Sequence, residues 1–564
     1  MNFRVSGLAT QIWHKLRGEG GAAGPASPRR FALGPSMLTL LASLWLVAAG
    51  NFPFWSTIWR GVGGLRADNV LFLVSLPVFT LAWTFLLLSL FTWGRATKWA
   101  LCAVLLVSAV ISYFANTYGV LLDHIMIANI VQTDSAEALD LVSWRLGGWL
   151  LLFGAVPALL VARVQVASRP WKRELGAKAL AMTGAAVCLG AILLVNYQHF
   201  ASLLRNHREL RLMLVPYNAA AAVHSYLGRR FAAPNVLQVV GADAVRADAG
   251  ANARRPALTL LVIGETARAA NFSLNGYPRP TNPEVAHRNV ISYSDVSSCG
   301  TSTAVSLPCM FLDVGRSGFE DALALRREGL LDVLQRAGVA VWWRDNNSGC
   351  KGVCDRVPYE DLSGLKLPGL CDGGECFDEI LLRGLQDYVD KLDRDAVIVL
   401  HLKGSHGPAY FKRYPPAFEE YKPVCDTIQL DRCPRESIVN TYDNTLRYTD
   451  HVLGMAIDLL RDNAKRFDAA MLYVSDHGES LGEKGLYLHG IPYALAPREQ
   501  THVPMLLWLS DGLRERLGLS AACLEKRRGE PLSHDNLFHT VLGLAGVQTA
   551  AYRPERDFLR GCRS

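Results

Sequence analysis

The feature that most constrains this chain is a set of five apolar stretches within its first 200 residues. Each is close to the roughly 20 residues that an α-helix needs to cross a bilayer. A core helix of a soluble protein carries a polar face, and these stretches largely lack one. We therefore predict five transmembrane helices, near residues 36–56, 70–93, 98–118, 147–165 and 177–196.

The charges of the connecting loops predict which way these helices run. Basic residues cluster near Arg95 and Lys98 and again within 163–178, whereas the loop 119–146 is mainly acidic. Because basic loops stay on the cytoplasmic side, we expect the N-terminus in the cytoplasm. Five crossings then place everything after about residue 197 on the far side of the membrane.

Cysteine usage indicates the same compartment, since ten of the twelve cysteines follow residue 298. Their close spacing favours disulfides, which form in an oxidising environment. Cys523 and Cys562 are left over and either pair or stay free. The four close pairs are Cys299/Cys309, Cys350/Cys354, Cys371/Cys376 and Cys425/Cys433.

The net charge of +7 includes no long run of basic residues. A membrane is therefore a more natural partner for this chain than a nucleic acid.

The chain divides into four predicted regions. From residue 257 onward, short apolar runs without alternation are typical of buried parallel strands, and helical stretches separate them. This pattern predicts an α/β domain with a central, mostly parallel sheet; its strands are expected at 258–263, 339–343, 396–402, 469–474 and 504–509. The regions are a basic cytoplasmic tail (1–30), a five-helix transmembrane domain (31–196), interfacial helices with a linker (197–256) and the α/β domain (257–564).

A small, hydroxyl-rich run at 298–309 leads into a short predicted helix. Backbone N–H groups at a helix start carry partial positive charge and suit an anion such as a phosphate. A hydroxyl there is placed to attack a phosphate or sulfate centre, so we expect Thr303 to be a covalent nucleophile. The alternative is an ordinary helix N-cap rich in serine and threonine.

Carboxylates and imidazoles follow several predicted strands directly. Glu265 follows the strand 258–263, and Asp476 and His477 follow the strand 469–474. Ligands bind beyond the carboxyl ends of the strands in open parallel sheets, so these side chains are expected to meet. Carboxylate and imidazole ligands suit zinc, with the Thr303 oxygen as a fourth ligand. Zinc would lower the pKa of that hydroxyl and make it nucleophilic. Each residue taken singly fits a turn or a cap equally well.

Two further histidines and two polar residues complete the predicted site. His406 and His489 could hold a second zinc ion or donate protons to the leaving group. Asn347 and Lys351 could bind the non-bridging phosphate oxygens, although both also suit ordinary turns.

Six motifs together resemble the lipid A phosphoethanolamine transferases, which include the mobile colistin-resistance enzymes and belong to the alkaline phosphatase and sulfatase superfamily. The resemblance covers nearly the whole chain. It implies five transmembrane helices in a bacterial inner membrane and an alkaline phosphatase-like catalytic domain in the periplasm. The motifs are Gly264-Glu265-Thr266-Ala267-Arg268, Cys299-Gly300-Thr301-Ser302-Thr303, Asn346-Asn347-Ser348, His406-Gly407-Pro408, Ser475-Asp476-His477-Gly478-Glu479-Ser480 and Gln500-Thr501-His502-Val503-Pro504.

The family's functional residues fall on positions already singled out. Its zinc ligands fall on Glu265, Thr303, Asp476 and His477, and its nucleophile is Thr303. His406 and His489 match its additional active-site histidines, and Asn347 and Lys351 match its phosphoethanolamine contacts. The resemblance adds three residues thought to help hold the lipid substrate. Their i, i+4, i+8 spacing predicts one helix face, which could equally be a solvated face of an interfacial helix. These residues are Asn129, Thr133 and Glu137.

The resemblance implies transfer of phosphoethanolamine from phosphatidylethanolamine to a phosphate of lipid A, with one tightly bound zinc ion and with His406 and His489 available to hold a second. We expect a monomer, although the sequence does not fix the oligomeric state. Zinc-bound Thr303 would carry the group as a phosphothreonine ester, and the modified surface would resist cationic peptides such as polymyxin. Transferases that act on core sugars or glucans, or that transfer phosphoglycerol, are the alternatives. A sulfatase is disfavoured because Cys299 lacks a following Pro-x-Arg. A membrane sensor without catalysis is the remaining possibility.

Overall fold

A computed structural model describes residues 32–61, 69–133, 135–167, 170–207, 210–231, 236–246, 255–372 and 375–563. The basic tail predicted for residues 1–30 lies outside these ranges. The chain forms a bundle of apolar helices followed by an α/β domain. The helices of the first part are α1 (Pro35–Ala49), α2 (Phe52–Gly61), α3 (Val70–Ser89), α4 (Ala96–Tyr118), α5 (His124–Gln132), α6 (Ser135–Asp140), α7 (Trp144–Arg163), α8 (Trp171–Asn206), α9 (Leu210–Met213) and α10 (Tyr217–Phe231).

Within the described residues, four single helices are long and apolar enough to cross a membrane, namely α3, α4, α7 and the part of α8 that ends at Tyr197. The first predicted span is broken instead: α1 and α2 meet at an angle of 57°, so the pair counts as a fifth span only if it is taken as one bent helix. The prediction of five helices is therefore corrected to four helices and a bent pair. Leu180 and Leu194 of α8 are 76% and 85% exposed, as expected where lipid is the solvent.

The second part is built on a sheet of eight strands within the described residues. The strands are β1 (Ala257–Gly264), β2 (Ile291–Ser297), β3 (Ala340–Asp345), β4 (Tyr359–Asp361), β5 (Ala396–His401), β6 (Asp468–Ser475), β7 (His502–Leu509) and β8 (Leu532–Ser533). Their spatial order is β8–β2–β7–β6–β1–β5–β3–β4. Seven strands run in the same direction, and only β7 is antiparallel to its neighbours. The expectation of a parallel strand at 504–509 is thus wrong in direction.

Both faces of this sheet are covered. In β1, Leu261 and Ile263 belong to one apolar core, and Leu260 and Val262 belong to the core on the other face. This double burial explains why the strand sequences show no alternation. The helices of this domain are α11 (Pro283–Ala286), α12 (Thr303–Met310), α13 (Asp321–Ala324), α14 (Leu330–Arg336), α15 (Leu385–Val389), α16 (Arg435–Asp462), α17 (Arg498–Thr501), α18 (Asp511–Arg516), α19 (Ala521–Lys526) and α20 (Leu537–Ala545).

The described residues contain five disulfides, all in the α/β domain. Four are the close pairs that the spacing suggested. The fifth joins Cys523 to Cys562, which the sequence left open. Cys102 and Cys188, in the apolar helices, are free thiols.

The membrane-side segment, residues 119–143, connects the two parts of the molecule. His124 at the start of α5 lies 3.4 Å from Asp321 of α13. A Cβ atom placed on Gly490 would lie only 2.9 Å from Met126 Cε, so the segment packs directly against the α/β domain. The predicted single helix through Asn129, Thr133 and Glu137 is wrong, because α5 ends at Gln132 and Thr133 is extended, with its hydroxyl donating to Asn129 O at 2.8 Å.

Candidate active site

Thr303 is the first residue of α12, which follows β2 directly. The Cys299–Cys309 disulfide joins the turn before this helix to its last turn. The Thr303 hydroxyl donates to Glu265 Oε2 at 2.9 Å and lies 3.4 Å from His477 Nε2. The sheet thus brings β1, β6 and the start of α12 to one edge, as the strand-end argument predicted.

Two carboxylates and one imidazole converge beside this hydroxyl. One oxygen of each carboxylate, Glu265 Oε1 and Asp476 Oδ2, accepts no hydrogen bond from any described residue, although both are buried. His477 Nε2 lies 3.3 Å from the first and 3.4 Å from the second. The three ligand atoms all lie within 4.8 Å of one another. Buried acceptors that face one another need a cation between them, so this donor set fits a metal such as zinc.

Neighbouring groups hold each of these side chains in place. His477 Nδ1 lies 2.9 Å from Gly478 O and donates to it, which leaves Nε2 as the nitrogen that can bind a metal. Asp476 Oδ1 accepts the backbone N–H groups of His477 at 2.7 Å and Thr266 at 3.3 Å. Glu265 Oε2 accepts from Asn347 Nδ2 at 2.7 Å as well as from the Thr303 hydroxyl. The other oxygen of each carboxylate therefore stays directed at the centre.

The electrostatics of this cluster favour a bound cation. Burial would lower the pKa of His477, but the carboxylates of Asp476 and Glu265 raise it to about 10. Burial and the Glu265 charge raise the pKa of Asp476 to about 6. Burial would also raise the pKa of Glu265, but the adjacent His477 imidazole holds that pKa well below its usual range. Surplus negative charge in a buried site attracts positive charge strongly.

A pocket opens from Thr303 toward the membrane domain and contains about 350 Å³ of space, part of it open to solvent. Lys351, His406 and His489 line it together with Thr303, and Asn129 and Thr133 line it from the membrane-side segment. Glu137 lies in α6, and its side chain is outside the described part of the structure. The pocket thus joins the predicted catalytic residues to two of the three predicted lipid contacts.

Asn347 and Lys351 lie close to this centre but differ in their contacts. The Asn347 amide nitrogen is held by Glu265 and by Leu402 O at 3.0 Å, so it orients a predicted metal ligand. Lys351 Nζ donates to Ser348 O at 2.7 Å and to Ser348 Oγ at 2.9 Å, at the wall of the pocket. Contact of either residue with phosphoethanolamine stays a prediction.

Sequence reasoning missed three supporting residues. Glu479 was given no role in the predicted site, but its Oε2 lies 3.2 Å from His489 Nδ1 and holds that ring in place. Asp345 Oδ2 lies 2.9 Å from His401 Nδ1, and His401 Nε2 lies 3.3 Å from the Asn347 amide. Asp345 and His401 end the strands β3 and β5, so their position at the sheet edge was the signal that could have revealed them.

Comparisons with known proteins fit this arrangement. The sulfatase family profile matches residues 257–547, and that of the phosphoethanolamine transferases EptA/EptB matches 80–231. Phosphoethanolamine transferase EptA of Escherichia coli K12 is 43% identical over 532 residues, which cover 93% of this chain and 96% of that protein. This chain belongs to the EptA family of phosphoethanolamine transferases. The resemblance seen in the motifs is confirmed.

Two further relatives match this EptA-family chain over nearly its whole length. Phosphatidylethanolamine transferase Mcr-1 of E. coli is 36% identical, with 94% of this chain and 98% of that protein covered. The solved structure of the integral membrane lipooligosaccharide phosphoethanolamine transferase A of Neisseria meningitidis matches with a TM-score of 0.91 and 36% identity, covering 94% of this chain and 99% of that chain. A membrane domain joined to an alkaline phosphatase-like domain with a mixed sheet is thus the architecture of this chain.

Proposed function

We propose that this chain transfers phosphoethanolamine from phosphatidylethanolamine to a phosphate group of lipid A, at the periplasmic face of a bacterial inner membrane. The observation that carries the proposal is the shared pocket of Thr303 and the membrane-side residues Asn129 and Thr133. Both substrates are lipids, so the attacking group must lie next to the membrane. The name of the Neisseria relative specifies a lipooligosaccharide acceptor, which supports an acceptor of this class.

In the first step, Thr303 Oγ1 attacks the phosphorus of phosphatidylethanolamine. The bond between Oγ1 and phosphorus forms as the bond from phosphorus to the diacylglycerol oxygen breaks, and a phosphoethanolamine ester remains on Thr303. Glu265 orients the hydroxyl by accepting its hydrogen bond at 2.9 Å. Zinc, held by Glu265, Asp476 and His477 beside Thr303, would lower the pKa of the hydroxyl so that its proton is lost to solvent, and would neutralise charge on the phosphoryl oxygens.

The pocket residues handle the remaining charge and the proton. Lys351, on the pocket wall, places positive charge beside the phosphoryl oxygens. Because Glu479 engages His489 Nδ1, the second ring nitrogen of His489 is left to give a proton to the departing diacylglycerol oxygen. His406 lines the same pocket, with its ring centre 5.6 Å from that of His489.

In the second step, a phosphate oxygen of lipid A attacks the same phosphorus. The Oγ1–phosphorus bond breaks, and the Thr303 hydroxyl is restored when it regains a proton. The product carries an additional positive amine, which weakens the attraction of the cell surface for cationic antimicrobial peptides such as polymyxin.

The test uses the full chain in vesicles that contain phosphatidylethanolamine and lipid A, with mass spectrometry of the lipid products. We expect phosphoethanolamine on a lipid A phosphate with the wild type and none with Thr303→Ala. Thr549→Ala is the matched control, since Thr549 Oγ1 donates to Asp243 Oδ1 at 2.7 Å on the surface and Thr549 does not line the pocket. Addition to core sugars would favour the alternative acceptor, and addition by Thr303→Ala would contradict the proposed role of Thr303.

A further inference from the structure

A buried cluster of charges joins the membrane-side segment to the catalytic domain. Asp140, the last residue of α6, is 8% exposed and accepts from Lys412 and from Arg413 Nη2, the latter at 3.1 Å. Arg413 is 5% exposed and also pairs through Nη1 with Glu375 Oε2 at 2.9 Å. An ion pair this deeply buried fixes the relative position of the elements that carry it.

The same arginine contacts the backbone of an active-site residue. Arg413 Nε donates to His406 O at 2.9 Å, so all three guanidinium nitrogens have acceptors. The planar guanidinium therefore connects Asp140 of the membrane-side segment, Glu375 of the catalytic domain and the loop of His406. A lysine at this position could not make all three contacts in one plane.

The two walls of the active-site pocket are thus linked through one side chain. His406 lines one wall, and Asn129 and Thr133, which precede Asp140 in the membrane-side segment, line the other. The far end of that segment is held by the His124–Asp321 pair at 3.4 Å. The segment is therefore fastened at both ends, and the Asp140 end is the one that reaches His406.

We propose that Arg413 and Asp140 are positioning residues, which hold His406 and the membrane-side wall at the separation that a phosphoethanolamine headgroup requires. This inference rests on the function proposed above. Neither residue lines the pocket, so both act through the groups that they hold. Asp140 sets the membrane-side wall, whereas Arg413 sets both that wall and the His406 loop.

The test compares variants of the full chain in mixed micelles, where the mole fraction of phosphatidylethanolamine can be varied. Asp140→Asn should raise KM about 10-fold with little change in kcat, because only the membrane-side wall is released. Arg413→Gln should also lower kcat about 10- to 100-fold, because the His406 loop shifts. Since both act through one cluster, the double variant should be no worse than Arg413→Gln.

Arg413→Lys separates the two roles, since it keeps a charge for Asp140 but loses the bond to His406. We expect kcat to fall while KM stays near that of the wild type. Asp390→Asn is the matched control, because Asp390 pairs with Arg466 at 3.0 Å on the exposed surface of the same domain. This control should leave both constants unchanged.

Hydrogen exchange supplies a readout that needs no catalysis. Asp140→Asn should increase exchange in α5, and Arg413→Gln should increase it in α5 and also in the loop around residue 406, while β1 and β6 stay protected in both variants. Unchanged exchange in both segments, additive kinetic effects, or a loss of protection spread evenly over the sheet would each overturn the proposal. If the wild type transferred no phosphoethanolamine at all, the proposed function would fail. The exchange comparison would still decide whether Asp140 and Arg413 hold the membrane-side segment and the His406 loop in place.

Discussion

Gly478 offers a test of the site that removes no functional group. A Cβ atom at this position would lie 2.1 Å from Glu499 O, and real Cβ atoms keep at least about 3.0 Å from such an atom. Gly478→Ala must therefore push the segments that carry Gly478 and Glu499 apart by about 1 Å. They are joined by hydrogen bonds from Gly478 N to Gln500 O at 3.0 Å and from Glu479 N to Glu499 O at 2.9 Å.

Such a shift would lengthen both bonds beyond useful range. At about 1 kcal/mol for each bond, plus about 1 kcal/mol for local overpacking, the variant should lose about 3 kcal/mol of unfolding free energy. The carbonyl of Gly478 also anchors His477 Nδ1, so His477 would move with it. A displacement of about 1 Å in a catalytic group can reduce the rate about 100-fold.

Two measurements on purified full-length protein check this prediction, namely thermal unfolding and the rate of phosphoethanolamine transfer. Gly364→Ala is the matched control, because a Cβ atom there meets nothing within 4 Å. We expect the control to change stability by less than about 0.5 kcal/mol. If Gly478→Ala kept the wild-type rate and unfolding temperature, the packing described around His477 would be wrong.

Three further predictions concern pH, covalent structure and metal retention. Burial lowers the pKa of His534 to about 3, so the folded state stays uncharged while the unfolded chain takes up a proton. Protonation of His534 in the unfolded chain therefore costs no stability above pH about 6.5, and below that pH the unfolding free energy falls by about 1.4 kcal/mol per pH unit. His534→Gln removes this dependence, so the unfolding free energies measured by denaturation at pH 5 and at pH 7 should differ less than in the wild type. Loss of the Cys523–Cys562 disulfide, with its sequence separation of 39, should lower stability by up to about 4 kcal/mol, measurable as a lower midpoint in denaturant for the double serine variant than for the wild type. Asn347→Leu removes the amide that donates to Glu265 at 2.7 Å and should weaken zinc retention about 10- to 100-fold in a titration with a chelator; retention equal to that of the wild type would remove Asn347 from the site.

The sequence allowed the convergence of Glu265, Asp476 and His477 to be predicted, because polar residues that directly follow buried strands can be recognised. Glu265 and the pair Asp476 and His477 each follow a buried apolar run, and adjacent parallel strands bring them together. The direction of β7 could not be predicted from the sequence, because a strand buried on both faces has the same composition whichever way it runs.

Contacts between segments that are distant in the chain could not be predicted from the sequence either. The end of α5 at Gln132 depends on the extended backbone of Thr133, and the i, i+4, i+8 spacing could not reveal it. The support of Asn347 by His401, and of His406 by Arg413, arises only when separate loops pack together. The pairing of Cys523 with Cys562 likewise depends on tertiary structure.

In the proposed mechanism, Thr303 carries the phosphoethanolamine group between the two lipids. The most direct measurement is peptide mass spectrometry of the full chain after incubation with phosphatidylethanolamine and without lipid A. We expect one added phosphoethanolamine group on Thr303, which disappears when lipid A is supplied. An unmodified Thr303 in an enzyme that still modifies lipid A, or the group on another residue, would contradict it.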